Sequence, residues 1–118
     1  MAKILLAEDD ATMVSLLKTL LKMEGFEVVA LDAGADIAGA VEHEKPDALF
    51  MDVHLGEQSG MQILQSIRKN RKNANLRIIM TSGLNVKDEC IRGGADVFLL
   101  KPFMPDDLIS ALKQSTAP

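Results

Sequence analysis

Five short apolar runs, at residues 4–7, 28–31, 48–51, 78–80 and 97–100, punctuate this chain, and helical patterns fill the intervals between them. Runs that short, without polar alternation, suit strands of a parallel sheet buried on both faces. In the first interval Met13, Leu16, Leu17, Leu20 and Leu21 follow the i, i+3, i+4, i+7, i+8 spacing of one helix face over Ala11–Met23, and Gly25 is placed to stop that helix. Ile37, Ala40 and Val41 mark a second helix ending before Pro46. Ser59-Gly60-Met61-Gln62 reads as a capping box that opens a third, with Leu64 and Ile67 on its inner face. A short fourth helix is expected over residues 86–92, stopping at Gly93-Gly94. Pro105 suits the first turn of a fifth, where Asp106 and Asp107 complement the positive end and Leu108, Ile109 and Leu112 face inward. Strand and helix thus alternate five times through short connections. Such alternation predicts an α/β domain, a parallel sheet with helices on both faces and right-handed crossovers. Periodicity leaves the strand order open.

The length of 118 residues suits one domain over residues 1–118. With 47% apolar and 25% charged residues the chain has the composition of a folded protein rather than a disordered one. Thirteen Lys and Arg against 17 Asp and Glu give a net charge of −4, which argues against direct binding to nucleic acid. Only 3% of residues are aromatic, with no Trp or Tyr, so a base-stacking platform is not expected either. The single Cys90 can build neither an internal disulfide nor a cysteine-rich zinc site. No apolar run approaches the ~20 residues of a membrane span. The N-terminal apolar run meets an acid at Glu8, unlike a signal peptide, so no membrane association and a cytoplasmic location are expected.

Chemistry collects at the strand ends. The first run leads into Glu8-Asp9-Asp10, the third into Asp52, the fourth into Thr81-Ser82-Gly83 and the fifth into Lys101-Pro102. In an open parallel sheet all carboxyl ends share one edge, and ligands bind there. Glu8, Asp9 and Asp52 within a few ångströms of each other repel, and stay ionised only beside a compensating cation. Carboxylates without imidazole or thiolate suit a hard ion such as Mg²⁺, which leaves coordination positions for a phosphate oxygen. Lys101 adds a point charge for an anion, and Thr81 a hydroxyl donor. The set is suited to bringing a phosphoryl group to a carboxylate, a known nucleophile for such groups. Asp10 reads instead as the cap of the first helix. His43 and His54 are too few to carry a metal, with His54 expected at the surface, and Met13, Met61 and Met80 read as core filler.

These stretches, in this order, resemble the receiver domain of two-component response regulators over essentially the whole chain. Ile4-Leu5-Leu6-Ala7-Glu8-Asp9-Asp10 resembles the family's first strand and acidic pair, and Phe50-Met51-Asp52-Val53-His54-Leu55 its phosphoacceptor strand and loop, with Gly60 at the family's glycine. Ile78-Ile79-Met80-Thr81-Ser82 resembles the hydroxyl-bearing strand end, and the run from Gly94 to Lys101-Pro102-Phe103 the last strand and its signature. The resemblance implies a flavodoxin-like (βα)5 three-layer sandwich with strand order 2-1-3-4-5. It implies that Asp52 accepts a phosphoryl group from a sensor histidine kinase or a phosphotransfer protein. Asp9 and Asp52 would ligate Mg²⁺ (or Mn²⁺), joined by the backbone carbonyl of His54, with Glu8 acting through water. Thr81 and Lys101 would contact the phosphoryl group. Thr81 and Phe98 would switch the face formed by the fourth helix, fifth strand and fifth helix, which would bind a downstream protein, an output domain or a second copy in a homodimer. Such a chain is a signalling module, not an enzyme beyond its own phosphorylation and dephosphorylation, and no output domain is expected within it. Three positions depart from the family's habit. Gly56 stands where proline is frequent, His54 lies two residues after Asp52, and Gly83 lies two after Thr81. The competing readings are a haloacid-dehalogenase-type hydrolase, which needs an acid where His54 stands, a flavin carrier, whose phosphate the acids would repel, and a pseudo-receiver that binds partners without phosphate, against which the complete acid, hydroxyl and lysine set argues.

Overall fold

The computed structural model describes residues 2–116. Strands β1 (Lys3–Ala7), β2 (Glu27–Leu31), β3 (Ala48–Asp52), β4 (Arg77–Ser82) and β5 (Val97–Leu100) pair in parallel in the order β2-β1-β3-β4-β5. Between and after them run α1 (Ala11–Met23), α2 (Ile37–Glu44), α3 (Gly60–Lys69), α4 (Lys87–Arg92) and α5 (Pro105–Thr116). This is the flavodoxin-like fold in the expected order.

Local chemistry sets the helix ends. Asp10 caps α1 by accepting from the backbone N–H groups of Thr12 at 3.0 Å and Met13 at 3.2 Å. At the other end the N–H of Gly25 donates to the Lys22 carbonyl and that of Phe26 to the Leu21 carbonyl, both at 3.0 Å. Those two bonds close a Schellman turn, which requires the left-handed φ of +93° that Gly25 adopts. Asp36 caps α2 through the Gly39 N–H at 3.0 Å, and Ser59 caps α3 through the Gln62 N–H at 3.3 Å. Pro105 opens α5 as expected, and Asp107 accepts from the Met104 N–H at 3.2 Å.

Strand alternation divides the core into two layers. Ile4, Leu6, Ala48, Phe50 and Ile79 face one side, where Leu17 and Leu21 of α1 and Leu108 and Leu112 of α5 cover them. Leu5, Ala7, Leu49, Met51, Ile78 and Met80 face the other, under Ile37 and Val41 of α2, Leu64 and Ile67 of α3, and Cys90 of α4. Each such large apolar side chain contributes about 1.5–3 kcal/mol by leaving water, which is why the central strands read as unbroken apolar runs.

Two expectations need correction. Burial on both faces holds for β1, β3 and β4 only. β2 and β5 are the sheet's edges, where helices cover less, and both carry exposed or half-buried residues throughout. Between β3 and α3 the chain also forms an antiparallel ribbon of two-residue strands, His54–Leu55 against Gln58–Ser59, that no periodicity announced.

Candidate functional site

The parallel order brings the carboxyl ends of β1, β3, β4 and β5 to one edge, and Glu8, Asp9, Asp52, Thr81 and Lys101 meet there. Glu8 and Asp52 are buried, at 3% and 6% of full exposure, while Asp9 stands in solvent. One carboxylate oxygen from each of the three lies within 4.8 Å of the others, a possible metal site. Asp52 forms the last rung of β3, opposite Thr81 of β4. Its Oδ1 accepts from the His54 backbone N–H at 2.8 Å, and its Oδ2 receives the Lys101 ammonium at 2.5 Å. The same ammonium lies 3.0 Å from Glu8 Oε2 and 3.3 Å from Oε1. Lys101 is carried there by β5 and the backbone bond from its N–H to the Ser82 carbonyl, at 2.8 Å.

This is one cation against two buried anions. Burial raises the Glu8 carboxyl above its usual value of 4.5, and the charge of Asp52 adds to the rise against the opposing bonds from Lys101 and the Asp10 N–H. Burial alone would lower the Lys101 ammonium, but its bonds to Asp52 and then Glu8 more than offset that and raise it. The compensation is incomplete. Glu8 Oε2 is close to the ammonium yet outside hydrogen-bond geometry, so this buried oxygen has no donor. A buried anion with an unused oxygen, beside two further carboxylates and no imidazole or thiolate, is a donor set that fits a hard divalent cation.

Thr81 is fully buried, and its hydroxyl donates to the Leu99 carbonyl at 2.7 Å rather than toward Asp52. Phe98 pairs with Met80 across β4 and β5 and packs, half-buried, in the layer that holds Cys90 of α4. The His54 side chain is exposed, as expected, and His43 lies exposed on α2. Gly60 is required by contact rather than by φ. A Cβ there would stand 2.5 Å from the Asp52 carbonyl oxygen and 2.8 Å from Val53 Cα, so only glycine lets α3 begin against the backbone that presents Asp52.

Two features escaped the sequence. Gly56, at φ +60°, donates its N–H to Asp9 Oδ2 at 3.2 Å. The Gln58 side-chain amide donates to the carbonyls of Ala33 at 2.6 Å and Ala35 at 3.0 Å. No motif flags a loop glutamine, and both contacts span more than 20 positions of sequence. A cavity of about 400 Å³ opens beside Glu8 and Asp9, reaching Lys18 and Ala33. A larger one of about 690 Å³, lined by Lys45, Asn70 and Leu76 among others, lies at the opposite edge of the sheet and contains none of these residues. Among the described residues no helix is long and apolar enough to cross a membrane.

A family model for the response regulator receiver domain matches residues 4–113. The chain is 32% identical over 117 residues to the chemotaxis protein CheY of Bacillus subtilis, covering 96% of each. It is 30% identical over 111 residues to the cell cycle transcriptional regulator CtrA of Caulobacter vibrioides, covering 93% of this chain and 48% of that one. The chain thus spans about half the length of several curated relatives that it matches. Among solved structures it is similar to a putative response regulator from Chloroflexus aurantiacus, at TM-score 0.89 and 28% identity over 99% of this chain and 98% of that one. It is also similar to the receiver domain of a sensor histidine kinase from Pseudomonas aeruginosa, solved with a magnesium ion coordinated in its active site cleft. The TM-score there is 0.84 and the identity 26%, over 96% of this chain and 95% of that one.

Proposed function

This chain belongs to the response regulator receiver domain family, and from that premise we propose that it is a phosphorylation-controlled signalling module with Asp52 as phosphoacceptor. The observation that carries the reading is the pairing of Asp52, at 6% exposure, with Lys101, beside a Glu8 oxygen that lacks a donor. The donor is a phosphohistidine of a sensor kinase or phosphotransfer protein. A carboxylate oxygen of Asp52 bonds to phosphorus and the phosphorus–nitrogen bond breaks. The imidazole nitrogen keeps the electron pair and takes a proton from water. Lys101 holds the carboxylate in place and faces the incoming phosphoryl oxygens with its ammonium. Asp9 and Asp52, with the backbone carbonyl of His54 and with Glu8 through water, would hold Mg²⁺ (or Mn²⁺), which when bound neutralises charge on the transferring group. The chain turns over no outside substrate. A hydrolase of the haloacid-dehalogenase type would need an acid where the exposed His54 stands.

Output follows from Thr81. Its hydroxyl proton is committed to the Leu99 carbonyl, so donating to a phosphoryl oxygen on Asp52 means leaving β5. Phe98 next to it on β5 then shifts inward under α4, and the α4–β5–α5 face changes shape. That face already exposes Ile91 and Leu100, apolar groups suited to a downstream protein, an output domain or a second copy. The test is intact-mass analysis after incubation with Mg²⁺ and acetyl phosphate. Wild type is expected to gain one acid-labile phosphoryl group and Asp52→Asn none. No adduct in wild type, or a persistent one in Asp52→Asn, overturns the assignment.

A further inference from the structure

Asp9 stands in solvent beside two like charges, Glu8 and Asp52, and nothing in its own loop keeps its carboxylate turned toward them. Left free, an exposed aspartate rotates outward, because repulsion and hydration both favour that rotamer. The donor that holds it comes from 47 positions away, the N–H of Gly56 at 3.2 Å from Oδ2. Gly56 reaches that position with φ +60°, and a Cβ on it would stand 3.2 Å from the Ala33 Cβ. A proline could supply neither the N–H nor the φ. The loop carrying Gly56 is held in turn by Gln58, whose amide protons go to the Ala33 and Ala35 carbonyls at 2.6 and 3.0 Å. The loops after β1, β2 and β3 are therefore joined through three hydrogen bonds, of which one ends on the Asp9 carboxylate and two on the carbonyls of the loop after β2.

We propose that Gly56 and Gln58 form a latch that positions Asp9 for the divalent cation, and that the loop after β2, through its carbonyls, sets this chain's cation affinity. The proposal rests on the metal-site reading above, but adds residues that bind no ion themselves. Outer partners of a metal ligand typically tune affinity by 10- to 100-fold, because they fix the ligand's orientation before the ion arrives. Gln58 acts one step further out than Gly56, so the expected effect is at the low end.

The experiment is a titration of the apo protein with Mn²⁺, read by electron paramagnetic resonance of the free ion, for wild type, Gln58→Met, Asp9→Ala and the double variant. Gln58→Met keeps the length of the side chain and removes both donors. Its Kd is expected to rise about tenfold, while in the Asp9→Ala background the same change has no further effect, since the latch acts only through Asp9. If Gln58→Met binds as wild type does, or weakens binding equally without Asp9, the latch is wrong although the metal site stands. If wild type binds no Mn²⁺, the metal-site reading itself fails. Should Gln58→Met not fold, hydrogen exchange of the Gly56 amide in wild type and Asp9→Ala decides. Gly56 is exposed, so protection lost on removing Asp9 supports the latch, and equal exchange in both overturns it.

Discussion

Replacing Lys101 by methionine keeps most of the aliphatic stem and removes the only cation that faces the two buried carboxylates among the described contacts. In the folded chain its ammonium lies 2.5 Å from Asp52 and 3.0 Å from Glu8, with a side chain 24% exposed. At an effective dielectric of about 20 each attraction is worth roughly 6 kcal/mol gross, most of which offsets the desolvation of the three groups. Removing one partner leaves the others buried and mutually repelling, which costs about 3–5 kcal/mol. The partial exposure of Lys101 places the expected loss near the lower bound, about 3 kcal/mol. With a urea m-value of about 1.5 kcal/mol/M the unfolding midpoint falls by about 2 M. The pH dependence has a definite sign. Glu8 is raised above 4.5, so between 4.5 and its folded value the native state holds a proton that the unfolded chain has lost. Stability therefore falls as pH rises through that window, and without Lys101 the window widens upward. A divalent cation supplies the missing positive charge, so Mg²⁺ is expected to raise the midpoint of Lys101→Met more than that of wild type. The assay is urea denaturation followed by circular dichroism, with and without Mg²⁺, from pH 5 to 8. An apo variant that unfolds at the wild-type midpoint, or grows more stable as pH rises, would refute the electrostatic reasoning.

Three further changes test other parts of the site. Glu8→Gln removes the acid whose pKa is raised, so without metal it is expected to be more stable than wild type at neutral pH, the gain vanishing near pH 4.5, and to bind Mg²⁺ more weakly; a loss of apo stability in the same urea titration counts against this account. Gly60→Ala places a methyl 2.5 Å from the Asp52 carbonyl and is expected to destabilise by about 3 kcal/mol and to slow acetyl phosphate labelling, both measurable on one preparation. Thr81→Ala removes the donor to the Leu99 carbonyl and is expected to cost about 1–2 kcal/mol. In that variant, beryllofluoride should still perturb amides around Asp52 but no longer those of Phe98 and α4; unchanged long-range shifts would remove Thr81 from the route.

The helices were legible because their determinants are local. Asp10 before Ala11–Met23, Gly25 after it, Ser59 before α3 and Pro105 at the head of α5 all act within four residues of the backbone they cap. The site residues were legible for a different reason. Strand ends in a parallel sheet share one edge whatever the strand order, so Glu8, Asp9, Asp52, Thr81 and Lys101 could be gathered before the order was known. The edge status of β2 and β5 was not legible. Their residues are as apolar as those of β1, and only the pairing order, which places β2 and β5 at the two ends of the sheet, leaves them exposed or half-buried.

What the sequence by itself determined, then, is the set of elements, the direction of the sheet and the residues at its chemical edge, since apolar spacing and capping act over a few positions. Tertiary structure alone decided how charge is shared there. Lys101 meets Glu8 across 93 positions and Asp52 across 49, one oxygen of Glu8 is left without a donor, and Thr81 spends its proton on Leu99. It also decided that Asp9 is held by Gly56 and the loop of Gly56 by Gln58. Hydrogen bonds and ion pairs are satisfied by whichever partner is brought within about 3 Å, and chain closure over tens of residues chooses that partner through the packing of both core layers, which no local pattern encodes.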